Sequence, residues 1–299
     1  MKVLIAGAKG QLGWELQRTA PAHLDLYACD RQDLDIRDAK SVQQIIDDVN
    51  PMIVINAAAY TAVDRAEQDS DTAYAVNRDG VAHLARSSAS CGARFIHVST
   101  DYVFDGTQDR PYSPDDRPNP QCVYGASKFA GEGAVIEALS PDQTLIIRTS
   151  WVYSAHGQNF VKTMLRLMQD RDQVDVVVDQ VGSPTWAGGL AEAIWRAVSC
   201  KLTGVHHWTD AGVASWYDFA VAIQEEAIHL KLLEKPIPIR PISTSEYPLP
   251  AKRPYFSVLD KLDTWAKIDI NPSHWRESLR SMLKELAIGR AEDGVRVKR

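Results

Sequence analysis

A tyrosine and a lysine four positions apart, Tyr124 and Lys128, have the types and spacing that proton transfer requires. In a helix this spacing places both side chains on one face, one turn apart. A cationic lysine beside a phenol favours the phenolate, so we expect the pKa of Tyr124 to fall towards neutrality. A tyrosine tuned in this way exchanges a proton with a sugar or alcohol oxygen near pH 7. The same spacing is common in ordinary helices, so its meaning depends on the elements around it.

Three glycines in a GxxGxxG spacing, Gly7, Gly10 and Gly13, follow an apolar run at residues 3–6. The run predicts a buried strand, and the helical spacing of residues 14–18 completes the first half of a βαβ unit. Glycine lets the backbone approach a pyrophosphate, which the free N–H groups of the helix N-terminus attract. The segment therefore predicts a dinucleotide site, and a glycine-rich turn without a ligand is the alternative.

An acidic and a basic residue, Asp30 and Arg31, follow the second predicted strand at residues 24–29. An acidic residue about 20 positions after the glycine turn fits the ribose 2′-hydroxyl of NAD. The arginine beside it could instead pair with the 2′-phosphate of NADP. The sequence therefore leaves both NADH and NADPH open as the cofactor.

Two more predicted strands, at residues 51–55 and 93–98, end in small and polar residues. Ala57 and Ala59 follow the first strand and leave room for a cofactor to lie against the backbone. Thr100 follows the second strand, and a loop rich in proline and aspartate then leads to the helix of the Tyr–Lys pair. Because ligands bind at the carboxyl ends of strands in open α/β sheets, we expect the threonine and the Tyr–Lys pair at one edge of the sheet.

The composition is that of an ordinary globular protein, with 45% hydrophobic and 24% charged residues in 299. The formal net charge is −6, so the chain has no excess of basic residues that would attract an anionic partner. We therefore expect neither nucleic acid nor a membrane as a partner. The four cysteines form no CxxC pair, and no apolar run is long enough for a signal peptide or a transmembrane helix. We therefore expect a cytoplasmic protein.

Seven motifs that occur in one order along the chain give the sequence a family resemblance. They are GxxGxxG at 7–13, AAAYTAVD at 57–64, STDYVFDG at 99–106, YGASK at 124–128, RTSWVY at 148–153, DQVGSPT at 179–185 and KRP at 252–254. The set resembles the dTDP-4-dehydrorhamnose reductases, a branch of the extended short-chain dehydrogenases/reductases, from the first strand to about residue 285. STDYVF, RTSWVY and DQVGSPT are specific to this branch, whereas the glycine turn and YxxxK are shared across the superfamily.

The resemblance implies an α/β fold with a Rossmann-type, doubly wound parallel sheet and a smaller, mostly C-terminal α/β substrate-binding domain. We expect an NAD(P)-binding domain at residues 1–150, with parts of about 151–200 rejoining it, and a substrate-binding region at residues 151–288. Residues 289–299 are polar without an apolar period and are expected to be disordered.

The resemblance also implies roles for the residues that match the motifs. The expected catalytic residues are Tyr124, Lys128 and Thr100. The expected cofactor-binding residues are Gly7, Gly10, Gln11, Leu12, Gly13, Asp30, Arg31, Asp35, Ile36, Ala57, Ala59, Tyr60, Thr61, Tyr124 and Lys128. The expected substrate-binding residues are Thr100, Asp101, Trp151 and Arg253. The planar guanidinium of Arg253 can donate two parallel hydrogen bonds and so suits binding of a diphosphate. The alternative role for Arg253 is a surface ion pair with a carboxylate.

The implied reaction is reduction of the C4 keto group of dTDP-4-dehydro-L-rhamnose by NAD(P)H to dTDP-L-rhamnose. In this reaction the tyrosine donates the proton, the threonine holds the C4 oxygen and the lysine binds the ribose. A nucleotide-sugar epimerase or dehydratase is one alternative, although dehydratases usually carry an acidic pair after this threonine and here Asp101 is followed by Tyr102. A non-catalytic NADP-binding subunit, like the regulatory subunit of methionine adenosyltransferase, is another.

Some relatives form a dimer bridged by Mg²⁺ through acidic residues. Glu15 matches that pattern and Glu192 is a second candidate, but Gly188 stands where the other acid is expected. Because Mg²⁺ needs several oxygen ligands, the missing acid makes such a site doubtful. The sequence leaves a monomer and a homodimer open.

Overall fold

The computed structural model describes residues 1–296, with side chains through residue 289. In chain order the strands are β1 Lys2–Ala6, β2 Asp25–Cys29, β3 Ile53–Asn56, β4 Arg94–Thr100, β5 Thr144–Thr149, β6 Val152–Tyr153, β7 Val174–Val177, β8 Val181–Gly182, β9 Thr185–Trp186, β10 Gly204–His207, β11 Ala214–Ser215 and β12 Ile239–Ile242. The helices are α1 Gln11–Arg18, α2 Ala39–Val49, α3 Val63–Ala66, α4 Ser70–Tyr74, α5 Val81–Ser90, α6 Val123–Ala138, α7 Phe160–Asp170, α8 Ala187–Ser199, α9 Trp216–His229, α10 Leu262–Ile268 and α11 Trp275–Arg296. A π-helical turn, Ala75–Gly80, joins α4 to α5.

Six parallel strands form the central sheet in the order β10-β5-β4-β3-β1-β2. Both faces of the sheet are apolar, because consecutive side chains of a strand point to opposite faces and both faces carry helices. In β1, Val3 and Ile5 pack into one core with α1 and α8. Leu4 and Ala6 pack into another core with α2, α5 and α6. The predicted doubly wound α/β fold is confirmed.

The sixth strand of the central sheet, β10, comes from a late part of the chain and not from the valine-rich segment at residues 174–178. That segment forms β7, which pairs in parallel with β12 in a separate two-stranded sheet. The edge position beside β5 is filled by β10. Strand β7 packs with α7, α9 and α11 in a further hydrophobic core, which includes Leu165, Phe219 and Leu279. The chain thus leaves the central sheet after β5 and returns at β10, and the domain boundary near residue 150 remains a prediction.

The last helix is longer than the sequence indicated. Helix α11 runs from Trp275 to Arg296, whereas the polar composition predicted disorder at residues 289–299. The difference has a physical reason, because starting a helix is costly but extending one is not. Once a packed helix exists, each further residue adds a backbone hydrogen bond without the cost of nucleation. Residues 297–299 lie outside the described part of the chain. No helix within residues 1–296 is long and apolar enough to span a bilayer.

Candidate active site

The glycine turn lies between β1 and α1 and is packed against the backbone that follows β3. Gly7 has a φ of +89°, a left-handed conformation that glycine adopts without strain. A Cβ at Gly7 would lie 2.6 Å from the backbone nitrogen of Ala58, and one at Gly13 would overlap the carbonyl oxygen of Gly7. Helix α1 begins at Gln11 after Gly10, with no side-chain cap. The N-terminal amides of α1 are therefore available to an anion such as a pyrophosphate.

A cleft of about 550 Å³ opens beside this turn. The predicted cofactor residues that line it are Gly7, Gly10, Arg31, Asp35, Ile36, Ala57, Ala59 and Tyr60. The predicted cofactor residues outside its lining are Gln11, Leu12, Gly13, Asp30, Thr61, Tyr124 and Lys128. Gln11 instead accepts a hydrogen bond from Asn159 (2.9 Å), and Leu12 is buried in the core. The cleft thus joins the glycine turn to the ends of β2 and β3, where the adenosine half of a dinucleotide is expected.

The acidic residue after β2 is already engaged by its neighbours. The carboxylate of Asp30 accepts hydrogen bonds from two nearby backbone N–H groups (2.5 and 3.2 Å) and pairs with Lys9. The hydrogen bond from Lys9 lowers the pKa of Asp30, and the backbone N–H groups add to this effect. Arg31, in contrast, is mostly exposed, and its Nε lies 3.9 Å from the Asp35 carboxylate. The guanidinium is therefore the freer of the two groups for a cofactor ribose.

The structure brings Thr100, Tyr124 and Lys128 together at the carboxyl end of β4. Thr100 is the last residue of β4, and its hydroxyl lies close enough to the phenol of Tyr124 to lower the pKa of that phenol. Tyr124 and Lys128 lie one turn apart at the start of α6. The Nζ of Lys128 donates to the backbone oxygen of Val98, 2.7 Å away. A phenol, a hydroxyl and an amine thus lie at one edge of the sheet. These are the functional groups that proton transfer to a carbonyl oxygen requires.

The pKa of Tyr124 moves in the direction opposite to the expected one. Burial raises the pKa of Tyr124 well above its ordinary value, and the contact with Thr100 opposes the rise. Lys128 does not bring it down, because its amine nitrogen contacts Val98 and His97. The expectation of a near-neutral phenol was wrong. Tyr124 keeps its proton at pH 7, as a proton donor must.

A buried carboxyl group lies beside the threonine. The hydroxyl of Thr100 donates to Oδ1 of Asp101 (3.1 Å) and accepts from the backbone N–H of Tyr102 (3.2 Å). Burial raises the pKa of Asp101 to about 6. Its Oδ2 makes no hydrogen bond within the described residues, although the Ser257 side chain lies close enough to lower the pKa of this carboxyl. This oxygen can therefore accept a hydrogen bond from a bound ligand.

A buried asparagine ties the loop after β3 to the helix of the Tyr–Lys pair. Asn77, in the π-helical turn, accepts from the N–H of Tyr60 (2.8 Å) and donates to the Tyr60 oxygen (3.1 Å) and to Ser127 Oγ (3.0 Å). Ser127 in turn donates to the backbone oxygen of Tyr124 (2.8 Å). The side chain of Asn77 is completely buried. It couples the cleft to the start of α6.

The sequence did not identify His97, which lies between Asn56 and Lys128. Its Nδ1 is 3.2 Å from Asn56 Nδ2, and its Nε2 is 3.4 Å from Lys128 Nζ. Burial is the main cause that lowers the pKa of His97 well below its ordinary value, and Lys128 adds to it. The available signal was a single polar residue inside the apolar run of β4, since a buried polar group needs partners.

Trp151 has an unusual backbone conformation beside the site. Its φ is +49°, a left-handed value that residues with a side chain rarely adopt. Its ring stacks on Trp216 with a centroid distance of 3.5 Å, and a Cβ at Gly182 would lie 2.8 Å from the ring. Packing thus holds Trp151 in a strained state of the kind that clusters at ligand sites. Its contact with substrate remains a prediction, and Trp216 is a neighbour that the sequence did not indicate.

Arg253 forms the carboxylate pair that was considered as the alternative to diphosphate binding. Its Nη1 and Nη2 donate to Oδ1 and Oδ2 of Asp64 (2.9 and 2.6 Å). Burial lowers the pKa of Arg253, but Asp64 and other neighbouring groups outweigh this effect and raise it overall, and the pair lowers the pKa of Asp64. The segment around Arg253 lies against the loop after β4, since a Cβ at Gly106 would be 2.5 Å from Pro254. Whether the arginine also binds a diphosphate remains a prediction.

The acidic residues considered for a metal are not arranged to hold one. Glu15 is buried, and its carboxylate accepts hydrogen bonds from Arg18 Nε and Ser154 Oγ, both at 2.8 Å. Glu192 is exposed, and a Cβ at Gly188 would lie 2.7 Å from an indole ring. Residues 1–289 contain no group of three His, Cys, Asp or Glu side chains that could hold a metal ion. These residues do not fit an acidic Mg²⁺ site.

The fold places the protein in a broad class. The solved structure of UDP-glucose 4-epimerase from Thermus thermophilus, in complex with NAD, superposes with a TM-score of 0.78 at 20% identity, covering 97% of this chain and 99% of that chain. At this identity the likeness shows the fold alone. Together with the tyrosine and lysine on α6, the doubly wound sheet is that of an extended short-chain dehydrogenase/reductase.

Closer relatives define the family. The model of the RmlD substrate binding domain matches residues 1–288. The dTDP-4-dehydrorhamnose reductase of Aggregatibacter actinomycetemcomitans is 42% identical over 289 residues, covering 94% of this chain and 98% of that protein. The structure of the dTDP-4-dehydrorhamnose reductase of Bacillus anthracis, in complex with NADP, has a TM-score of 0.90 and 38% identity, covering 95% of this chain and 99% of that chain. The chain belongs to the dTDP-4-dehydrorhamnose reductase family, as the motifs predicted.

Proposed function

We propose that this protein reduces the C4 keto group of dTDP-4-dehydro-L-rhamnose with NAD(P)H, giving dTDP-L-rhamnose. The proposal rests mainly on one observation: Thr100, Tyr124 and Lys128 lie close together at the carboxyl end of β4. The glycine turn lies at the same edge of the sheet. The relatives named for this activity, at 42% and 38% identity over nearly the whole chain, support the substrate.

The cleft fits an NAD(P)H cofactor. The side-chain-free backbone of Gly7 and Gly10 leaves space beside the uncapped N-terminus of α1, where the amides would hold the pyrophosphate. Asp35 and Ile36 would line the adenosine, and Tyr60 the path towards the nicotinamide. When bound, the reduced cofactor supplies the hydride.

Tyr124 supplies the proton. As the hydride adds to C4 of the sugar, the π electrons of the carbonyl move to its oxygen, and the phenol transfers its proton to that oxygen to complete the alcohol. The raised pKa of Tyr124 keeps the phenol protonated until negative charge develops on the sugar oxygen. Lys128, one helical turn away, faces β4 and His97 in the structure and is assigned to the cofactor ribose.

Thr100 orients the phenol through its contact with Asp101. The Thr100 hydroxyl donates to the Asp101 carboxyl and accepts from the backbone N–H of Tyr102, and its contact with Tyr124 lowers the pKa of the phenol, as donation towards the phenol oxygen would. A direct hydrogen bond from Thr100 to the sugar C4 oxygen then requires its hydroxyl hydrogen to turn away from Asp101. We assign Thr100 to both tasks, one before and one during hydride transfer.

The sugar and its diphosphate are assigned to Asp101, Trp151 and Arg253. The free Oδ2 of Asp101 is suited to accept from a sugar hydroxyl. Arg253 makes three hydrogen bonds, to Asp64 and to the backbone oxygen of Ala251, and keeps further N–H groups for a phosphate oxygen. Its segment packs on the loop after β4, which supports a position next to the sugar.

The test is a coupled assay with product identification. dTDP-4-dehydro-6-deoxyglucose and a 3,5-epimerase generate the keto sugar, and NADPH absorbance and the NMR spectrum of the product are followed. We expect NADPH consumption only when the 3,5-epimerase is present, with dTDP-L-rhamnose as the product rather than its C4 epimer.

Two results would overturn the proposal. Interconversion of nucleotide sugars without net NADPH consumption would indicate an epimerase. Cofactor binding without reduction of the keto sugar would indicate a non-catalytic NADP-binding subunit.

We further propose that the reaction takes place in the cytoplasm. Cys29, Cys91, Cys122 and Cys200 are all free thiols, as a reducing compartment favours. A monomer and a homodimer both remain compatible with the site as described, since Thr100, Tyr124 and Lys128 come from one chain.

A further inference from the structure

A hydrogen-bonded chain runs from the backbone after β3 to the lysine of the site. The N–H of Ala58 donates to Asn56 Oδ1 (3.0 Å), and Asn56 Nδ2 faces His97 Nδ1 (3.2 Å). The other ring nitrogen of His97, Nε2, faces Lys128 Nζ (3.4 Å). Asn56, His97 and Lys128 are all at most 2% exposed, so water does not substitute for these partners.

The donor and the acceptor in each of these hydrogen bonds can be assigned by starting from the backbone N–H of Ala58, which can only donate. The backbone N–H of Ala58 is a donor, so the Asn56 atom that it contacts must be the amide oxygen. The Asn56 atom that faces His97 is then the NH₂ group, which makes Nδ1 of the imidazole an acceptor. A neutral imidazole with a bare Nδ1 carries its hydrogen on Nε2. That hydrogen points at the nitrogen of Lys128.

We propose that Asn56 and His97 are positioning residues for Lys128, and that the Nε2–H of His97 favours the uncharged amine of Lys128 over its ammonium form. An uncharged amine has a lone pair that can accept this hydrogen, whereas an ammonium group would present a second donor to it. The Val98 oxygen still accepts one N–H of the amine (2.7 Å). Burial lowers the pKa of Lys128 to about 8, so the uncharged amine is accessible close to neutral pH.

The other charged groups around Lys128 do not account for this preference. Glu132, one turn further along α6, favours the ammonium form, but its carboxylate is engaged by Arg148 of β5 (2.9 and 2.7 Å). The phenol of Tyr124 on α6 is uncharged at pH 7 and so favours neither form. His97 is therefore the titratable side chain in contact with Nζ that disfavours the ammonium.

The consequence, which rests on the proposed reductase reaction, is a lysine that can exchange a proton near neutral pH. The amine faces His97 and Val98 rather than the phenol. After Tyr124 has given its proton to the sugar, Lys128 as ammonium can therefore return one to the phenolate only through a bridging hydroxyl or water, and it then becomes the amine that His97 stabilises. A proton from solvent then restores the ammonium before the next turnover. A lysine with its ordinary pKa would release that proton less readily.

The first test reads the histidine tautomer by long-range ¹H–¹⁵N NMR of the full chain labelled with ¹⁵N-histidine, and a His97→Gln spectrum identifies the resonance among the eight histidines. We expect a protonated Nε2 and a bare Nδ1 between about pH 6 and pH 9. An Nδ1–H tautomer, or a doubly protonated ring, would overturn the proposal. In an Asn56→Asp variant the carboxylate can only accept, so the hydrogen should move to Nδ1.

The second test follows the Lys128 side chain by ¹³C-lysine NMR as the pH is raised. In Asn56→Asp, Nε2 becomes an acceptor for the ammonium, so the pKa of Lys128 should rise by about one unit, a tenfold change in proton affinity. Asn271→Asp, which adds the same charge at an exposed position, should leave it unchanged. An unchanged pKa in Asn56→Asp would contradict the proposal. Neither test uses a sugar, so their outcome is independent of the proposed substrate.

Discussion

The guanidinium of Arg253 donates to both carboxylate oxygens of Asp64, at 2.6 and 2.9 Å. This pair joins the loop before Pro254 to the AAAYTAVD segment that follows β3, and Asp64 Oδ1 also accepts from the backbone N–H of Ala251 (3.2 Å). The carboxylate thus holds the guanidinium in one plane while leaving part of its fork for an anion. The ion pair and diphosphate binding, which the sequence presented as alternatives, are therefore compatible.

Loss of this arginine should weaken sugar-nucleotide binding specifically. We predict that Arg253→Ala raises KM for the dTDP-sugar about 10- to 100-fold, because charge-assisted hydrogen bonds to phosphate are lost. KM for NADPH should stay within about twofold, and steady-state kinetics on both substrates measures the difference. Arg240→Ala is the matched control, since Arg240 also pairs with both oxygens of an aspartate, Asp175, at an exposed position. Equal effects of the two variants on KM would rule out the diphosphate role.

The cofactor preference should depend on Arg31. We predict that the protein uses NADPH better than NADH, because the Asp30 carboxylate is engaged by Lys9 whereas Arg31 is exposed along the cleft. Arg31→Ala should lower kcat/KM for NADPH about tenfold through loss of a charge-assisted hydrogen bond to the 2′-phosphate. The value for NADH should hardly change, and Arg86→Ala, an exposed arginine on α5, serves as control. A loss of equal size with NADH would contradict this assignment.

The buried amide of Asn77 should contribute to stability. Its replacement by alanine leaves the N–H of Tyr60 and the hydroxyl of Ser127 without this partner. We predict a fall in the free energy of unfolding of about 2–3 kcal/mol, measured by urea denaturation. Asn271→Ala, at an exposed position, should change it by less than about 0.5 kcal/mol. A fall no larger than that of the control would show that the amide bonds are replaceable.

The buried carboxyl of Asp101 should make stability depend on pH. Its pKa is raised from 3.8 to about 6, so the folded protein binds this proton more tightly than the unfolded chain. Stability from this group is therefore present at low pH and is lost as the pH rises through that window, by up to about 3 kcal/mol. Relative to wild type, Asp101→Asn should be more stable at about pH 7 than at about pH 4. Urea unfolding at both values measures this, and a constant difference between the two proteins would contradict it.

Local patterns were sufficient to predict the glycine turn and the meeting of Thr100 with Tyr124 and Lys128. The turn is contiguous in sequence, and the threonine follows a central strand whose carboxyl end must lie at the ligand-binding edge. The strand at the far edge of the sheet could not be predicted in this way. Both β7 and β10 are short segments, and which of them pairs with β5 depends on packing between distant parts of the chain.

Burial and side-chain direction were also beyond the sequence. The spacing of Tyr124 and Lys128 predicted a lowered tyrosine pKa, but that prediction assumed that the amine faces the phenol. In the structure the amine faces β4 and His97, and burial decides the sign of the shift. The left-handed backbone of Trp151 has the same origin, since it depends on a ring contact with Trp216 rather than on local sequence.

The most direct test of the account is the rate of keto-sugar reduction by Tyr124→Phe. The variant removes only the phenolic oxygen, so the fold, read by circular dichroism, and the Kd for NADPH should match those of wild type. We predict that kcat falls about 100- to 10,000-fold, because the developing charge on the sugar oxygen loses its proton donor. Turnover of the variant within a few-fold of wild type would contradict the central claim that Tyr124 delivers the proton.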